Sequence, residues 1–145
     1  MKIFVVNGPN LDFLGIREPE IYGRETYADL EDYLRRSAGE LGIELSVFQS
    51  NHEGAMIDEI HRAYFEQADG LIVNAGGYTH TSVALMDAIK AVDLPTVEVH
   101  LSDPESRESF RHLSYVAMAA VHRCVGHGFA GYREAMEYLL SHPKE

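Results

Sequence analysis

The chain has 145 residues, 46% of them hydrophobic, and 12 lysines and arginines against 23 aspartates and glutamates, a formal net charge of −11. This length suits one domain, 1–145, with a proper core, and the negative charge argues against nucleic acid or an anionic membrane as partner. An anionic small substrate then needs local arginines, for which Arg17, Arg107 and Arg111 are the candidates. The single cysteine, Cys124, excludes an intrachain disulfide and sits in an apolar stretch where it reads as core. No stretch approaches membrane length and the opening is too short for a signal peptide, so a cytoplasmic location is expected.

In chain order, Ile3 to Val6 reads as a buried strand, and the glycines and prolines at 8, 9, 15 and 19 make the stretch from Asn7 to Gly23 an irregular loop anchored by Leu11, Phe13, Leu14 and Ile21. Thr26-x-x-Asp29 forms a capping box for a helix carrying Leu30, Tyr33, Leu34 and Leu41 and closed by Gly42. Glu44 to Gln49 alternates, as an edge strand does. Ser50-x-x-Glu53 reads as a second capping box, opening a helix with Met56, Ile57, Ile60 and Tyr64 inside. Leu71 to Val73 is a short buried strand, followed by a turn over 74–80 and a helix through Val92. Thr96 to Val99 is a fourth strand. Asp103-Pro104 then starts a short helix through Arg107. A fifth strand falls within Ala117 to Val125, and a last helix carries Tyr132, Met136, Leu139 and Leu140. Five alternations of strand and helix with short connections predict a flavodoxin-like α/β fold in three layers, with a five-stranded parallel sheet in the order 2-1-3-4-5.

Parallel sheets bind ligands beyond the carboxyl ends of their strands. Asn7 and Asn10, then Asn74, Thr79 and His80, then His100 and Ser102 all arrive at that edge. Each has a plainer reading: the asparagines as turn formers, Thr79 and Ser82 as helix caps, the histidines as satisfied core residues, and Asp87 as a solvated charge. Glu98 is different, because an acid interrupting an apolar strand must be paired, for example with a histidine whose tautomer it fixes. Arg17 lies five residues before Tyr22. A charge pair at 4 Å is worth about 4 kcal/mol at an effective dielectric of 20, enough to bring a phenol towards neutrality as a base; the plainer reading is a surface pair on a loop. Gly126-x-Gly-x-x-Gly131 matches the dinucleotide fingerprint, but no following strand supplies the acid for a ribose, so it reads as a strand-to-helix turn. Eight histidines show no metal-ligand spacing, and no metal is expected.

Together, Asn7-Gly-Pro-Asn-Leu, Arg17-Glu-Pro-x-x-Tyr22-Gly, Gln49-Ser-Asn-His-Glu-Gly, Asn74-Ala-Gly-Gly-Tyr-Thr-His-Thr-Ser-Val-Ala-Leu, Glu98-Val-His-Leu-Ser and Arg107-Glu-x-Phe-Arg111 resemble the type II 3-dehydroquinate dehydratases along nearly the whole chain. The resemblance implies trans-dehydration of 3-dehydroquinate to 3-dehydroshikimate through an enolate, without a cofactor, in the shikimate pathway or in quinate breakdown. It makes Tyr22 the base, Arg17 the cation that holds it as phenolate, Asn10 the residue positioning a water against the enolate, and His100 the general acid oriented by Glu98. Asn74, Ser102 and the backbone at Leu101 would hold the substrate carboxylate, and His80 and Arg111 its hydroxyls. Arg107 would support the site. Asp87 matches an acid that reaches the site from a neighbouring subunit, in a family of trimers assembled into a dodecamer.

Three departures stand out. Met86 replaces the arginine usual before the acidic residue, Asp103 replaces the usual asparagine after Ser102, and the fifth strand, Val121-His-Arg-Cys-Val, is more polar than its relatives. Two other classes compete. A receiver-like signalling domain would need a phosphoacceptor aspartate where this chain has Asn74, and a non-catalytic binding remnant would need a lost site residue, of which the core set shows none.

Overall fold

The computed structural model describes residues 1–144, with Ile21 and Tyr22 described by backbone alone. Five strands, β1 (Lys2–Asn7), β2 (Glu44–Gln49), β3 (Gly70–Asn74), β4 (Thr96–His100) and β5 (His122–Val125), form one parallel sheet in the order β2-β1-β3-β4-β5. The order is the expected one, and β2 lies at the edge.

Because side chains alternate across a strand, β1 and β3 feed two separate cores and are apolar on both faces along their middles, whereas β4 gives Val97 and Val99 to one core and turns the buried Thr96, Glu98 and His100 to the other side. Ile3, Val5, Ile72, Val97 and Val99 pack under α2 (Tyr27–Leu41) and α6 (Ala130–Ser141) with Leu30, Leu34, Met136 and Leu139. Phe4, Val6, Leu71 and Val73 pack on the other side under α3 (Glu53–Phe65), α4 (Val83–Val92) and α5 (Tyr115–Ala119) with Met56, Ile60, Leu85, Ile89 and Val116. Cys124 is buried, and burial raises its thiol pKa to about 11, which leaves it an inert core residue.

The expected capping box at Thr26 is present in both directions: Asp29 N–H donates to Thr26 Oγ1 at 3.1 Å and Thr26 N–H to Asp29 Oδ2 at 2.9 Å. The second box is a correction. His52 is the N-cap of α3 and no side chain caps it; Ser50 Oγ accepts from His52 N–H, and Glu53 instead accepts a 2.5 Å bond from Ser82, the side-chain N-cap of α4. A tertiary donor outcompeted the local one. Tyr64 is a second correction: the inner face of α3 passes through Met56, Ile60 and Ala63, which turns Tyr64 outward, 54% exposed.

The opening loop is less irregular than expected. It contains a 3₁₀ turn at Leu11–Phe13 and a one-turn helix, α1 (Pro19–Tyr22). Leu11 and Leu14 are buried anchors, Phe13 is exposed, and the side chain of Ile21 lies outside the described residues. The helix at Asp103-Pro104 is a 3₁₀ turn ending at Ser106, a second such turn covers Ser109–Arg111, and the first part of the expected fifth-strand window is α5.

Candidate active site

The carboxyl ends of β1, β3 and β4 open into a cavity of about 220 Å³ lined, among others, by Asn10, Arg17, Asn74, His80, His100, Leu101, Ser102, Arg107 and Arg111. Nine of the twelve residues singled out from the sequence meet there. Of the remaining three, Glu98 is buried behind His100, Asp87 is exposed on α4 away from this cavity, and the side chain of Tyr22 lies outside the described residues.

The loops after β1 and β3 meet backbone to backbone. Gly8 N–H donates to the Asn74 carbonyl at 2.7 Å, and a Cβ on Gly8 would lie 2.4 Å from the Ala75 carbonyl oxygen, so only glycine permits this approach. Asn10 adopts the left-handed region (φ 69°), where asparagine is among the least strained residues. Its N–H donates to Asn51 Oδ1 at 3.0 Å, and Gln49 Nε2 bonds both Asn51 Oδ1 and the Gly8 carbonyl. The Gln49-Ser-Asn segment therefore braces the first loop, a role its sequence did not disclose.

Asn74 is set from behind by a buried chain of donors. Tyr132 gives its one proton to Asn7 Oδ1 at 2.7 Å, so its oxygen can only accept, and Asn74 Nδ2 supplies that bond at 3.0 Å. Burial holds the Tyr132 phenol far above its ordinary pKa, so it remains a donor at any working pH. Tyr132→Phe is expected to leave the Asn7 oxygen without this donor and to cost about 2 kcal/mol. A thermal melt should show a Tm lower by roughly 5–8 °C; an unchanged Tm would mean that the chain is not structurally coupled.

From the opposite face of the sheet come Glu98 and His100. His100 Nε2 lies 2.7 Å from Glu98 Oε2, which also accepts from Ser114 Oγ at 2.5 Å, while Arg123 Nε donates to Oε1. Burial pushes against the fully buried carboxylate, but the bond and charge of His100, the Ser114 bond and the Arg123 charge outweigh it and hold Glu98 below the ordinary carboxylate pKa. The expectation that Glu98 is paired with a histidine is met. Ser114 and Arg123 were not foreseen, since nothing local marks them as its partners. With Nε2 committed to the carboxylate, Nδ1 is the nitrogen His100 has for a ligand.

His80 Nδ1 is 2.8 Å from the Leu113 carbonyl, which can only accept, so this nitrogen carries the proton and Nε2 is left for the cavity. Burial lowers the His80 pKa against the pull of that carbonyl, and the charges of His100 and Arg111 act in the same direction as burial. Arg111 Nε donates to Glu108 Oε2 at 2.6 Å with its guanidinium 5.1 Å from the Phe110 ring centroid. Arg17 Nε lies 3.4 Å from Glu18 Oε2. The 126–131 glycine turn supports the site's backbone: Gly126 N–H donates to the His100 carbonyl and Gly128 N–H to that of Leu101.

A polar cavity at the carboxyl edge of a flavodoxin-like sheet, rimmed by arginines and by two imidazoles with assigned tautomers, defines an α/β enzyme built for proton transfer on a small anionic molecule. The chain matches the family model described as dehydroquinase class II over residues 1–140, and it belongs to that family. It is 53% identical over 144 residues to the 3-dehydroquinate dehydratase of Clostridium perfringens strain 13, covering 99% of each chain, and 54% identical over 142 residues to that of Dinoroseobacter shibae, covering 98% of this chain and 94% of the relative. The crystal structure of the type II dehydroquinase from Butyrivibrio crossotus superposes with a TM-score of 0.95 at 46% identity, covering 97% of each chain.

Proposed function

We propose that residues 1–145 form one catalytic domain, a lyase that dehydrates 3-dehydroquinate to 3-dehydroshikimate by trans elimination through an enolate, in the shikimate pathway or in quinate breakdown. The observation that carries this reading is the His100–Glu98 pair at the edge of a cavity that also gathers three arginines. Tyr22, as phenolate beside Arg17, takes the proton from the carbon next to the ketone. Asn10 positions a water against the enolate oxygen. His100, charged and held by Glu98, gives its proton to the departing C1 hydroxyl, which leaves as water. A trans course places base and acid on opposite faces of the ring, and they come from different elements, the loop after β1 and the end of β4. Asn74, Ser102 and the Leu101 backbone hold the carboxylate; His80 and Arg111 hold the hydroxyls; Arg107 supports them. Only protein side chains and the positioned water take part, so no cofactor or metal enters the scheme.

Adding 3-dehydroquinate to the purified protein should produce the ultraviolet absorbance of the conjugated enone product; its absence from well-folded protein would overturn the proposal. Asp87 completes the site of a neighbouring subunit in a trimer-based assembly, built up to a dodecamer, in the cytoplasm. Sedimentation at assay concentrations should show that assembly, and full activity in a monomer would refute the shared site. Among the described residues no helix is long and apolar enough to cross a membrane.

Asp103 lies beside the proposed carboxylate site, where a negative charge would repel the substrate if it faced inward. The side chain is instead turned to cap the Pro104 turn, with Oδ1 accepting from Glu105 N–H at 3.0 Å. Asp103→Asn, an equal cap, should change KM by less than about tenfold with kcat almost unaltered. A larger fall in KM, measured by steady-state kinetics, would show that the charge reaches the ligand.

A further inference from the structure

Across β4 and β5 the register sets Arg123 beside Glu98, and β5 is the edge strand on that side of the sheet. Glu98 is fully buried, whereas the Arg123 side chain is 39% exposed, so the arginine reaches inward from the surface to an acid that also holds the cavity histidine. The carboxylate is divided between its neighbours: Oε1 takes Arg123, and Oε2 takes His100 and Ser114. Ser114 is neutral and its oxygen is tied in turn to Ala117 N–H at the start of α5, so Arg123 is the one permanent charge bonded to Glu98 among the described residues.

We propose that Arg123 is a positioning residue for His100, acting through Glu98: it fixes the carboxylate in the rotamer that grips the imidazole and limits how strongly that carboxylate favours the imidazolium. The proposal rests on the reading of His100 as general acid and extends it outward to the surface of β5. The physical argument is a competition for one negative charge. A carboxylate with no other cation beside it favours the charged imidazole fully; one already paired with a guanidinium favours it less, because Arg123 and the imidazolium are like charges sharing one counter-ion. Among the described residues, the other ionisable groups near His100 are His80 on the turn after β3, which interacts with it electrostatically, and Arg17, Arg107 and Arg111 around the cavity. These act from the ligand side, and among the described residues Arg123 is the cation that acts from behind, through Glu98.

The test follows the His100 Cε1–H resonance through a pH titration, assigned with a His100→Asn variant, alongside the pH dependence of kcat/KM. In Arg123→Gln the titration midpoint of His100 is expected to move up by about half a pH unit or more, with the alkaline limb of kcat/KM moving the same way and kcat falling severalfold. Arg123→Lys should return the midpoint most of the way to the parent value, which a merely structural role would not require. Arg123→Met keeps the aliphatic stem and carries the same expectation if the glutamine variant does not fold. A His100 midpoint unchanged in a folded, uncharged variant overturns the proposal. A midpoint that moves while the alkaline limb stays put supports Arg123 and refutes instead the assignment of His100 as the acid.

Discussion

Tyr22→Phe is expected to lower kcat by at least about 10²-fold while KM stays within a few-fold and the melting curve is unchanged. The size reflects what a positioned general base contributes to removing a proton in the transition state. The substitution deletes one oxygen, so the loss should fall on kcat rather than on binding. A free phenol, with a pKa near 10, is almost fully protonated at neutral pH and is a poor base; a cation close to it lowers that value in proportion to the charge interaction. Arg17 lines the cavity five residues before Tyr22, and the backbone places Tyr22 at the end of α1, in the same loop. Steady-state assays on the enone product decide the matter: a phenylalanine variant with more than a tenth of the parent turnover would remove Tyr22 from the proton transfer.

Where the sequence carried strong local rules, it foretold the structure. β1 and β3 are apolar on both faces along their middles because both faces are buried, β4 is buried throughout but apolar on one face only, and alternation marked β2 as an edge. Glu98 declared itself, since a charge in such a strand needs partners; its partners did not. Arg123 lies 25 positions away on a strand that stood out only as more polar than its relatives, and the β4–β5 register turns that polarity into an ion pair. The same limit explains the two capping boxes. The patterns at Thr26 and Ser50 are alike as local sequence, but Ser82 claims Glu53 through a contact between helices 29 residues apart. The Tyr132–Asn7 bond spans 125 residues and was equally out of reach. Asn74 was foreseen at the site by its place at the carboxyl end of β3, but what holds it there was not.

Glu98→Gln is expected to damage both stability and turnover, and the two losses should separate with pH. The amide keeps the shape of the acid but offers one acceptor oxygen in place of two, and its NH₂ group meets donors: His100 and Ser114 on one side or Arg123 on the other. Breaking a buried pair by removing one partner costs about 3–5 kcal/mol, and because Arg123 is 39% exposed and can rehydrate, the lower end applies, a fall in Tm of roughly 6–12 °C near neutral pH. The pH dependence has a definite sign. The folded-state pKa of Glu98 lies below its ordinary value of 4.5, so on acidification the unfolded chain takes up the proton first. The parent protein therefore keeps this stabilisation above about pH 4.5 and loses it as the pH falls through the lower folded value. The glutamine variant has no such group to titrate, so the gap in Tm between the two proteins should be widest near pH 6 and narrow steadily towards pH 3. Turnover should fall at least about tenfold at every pH, because an imidazole without its carboxylate loses both its fixed tautomer and the stabilisation of its charged form. Melting curves collected from pH 3 to 7 test the first expectation and kcat profiles the second. A constant gap in Tm would mean that Glu98 is not ionised in the folded protein, and an unchanged kcat would mean that His100 does its work without it.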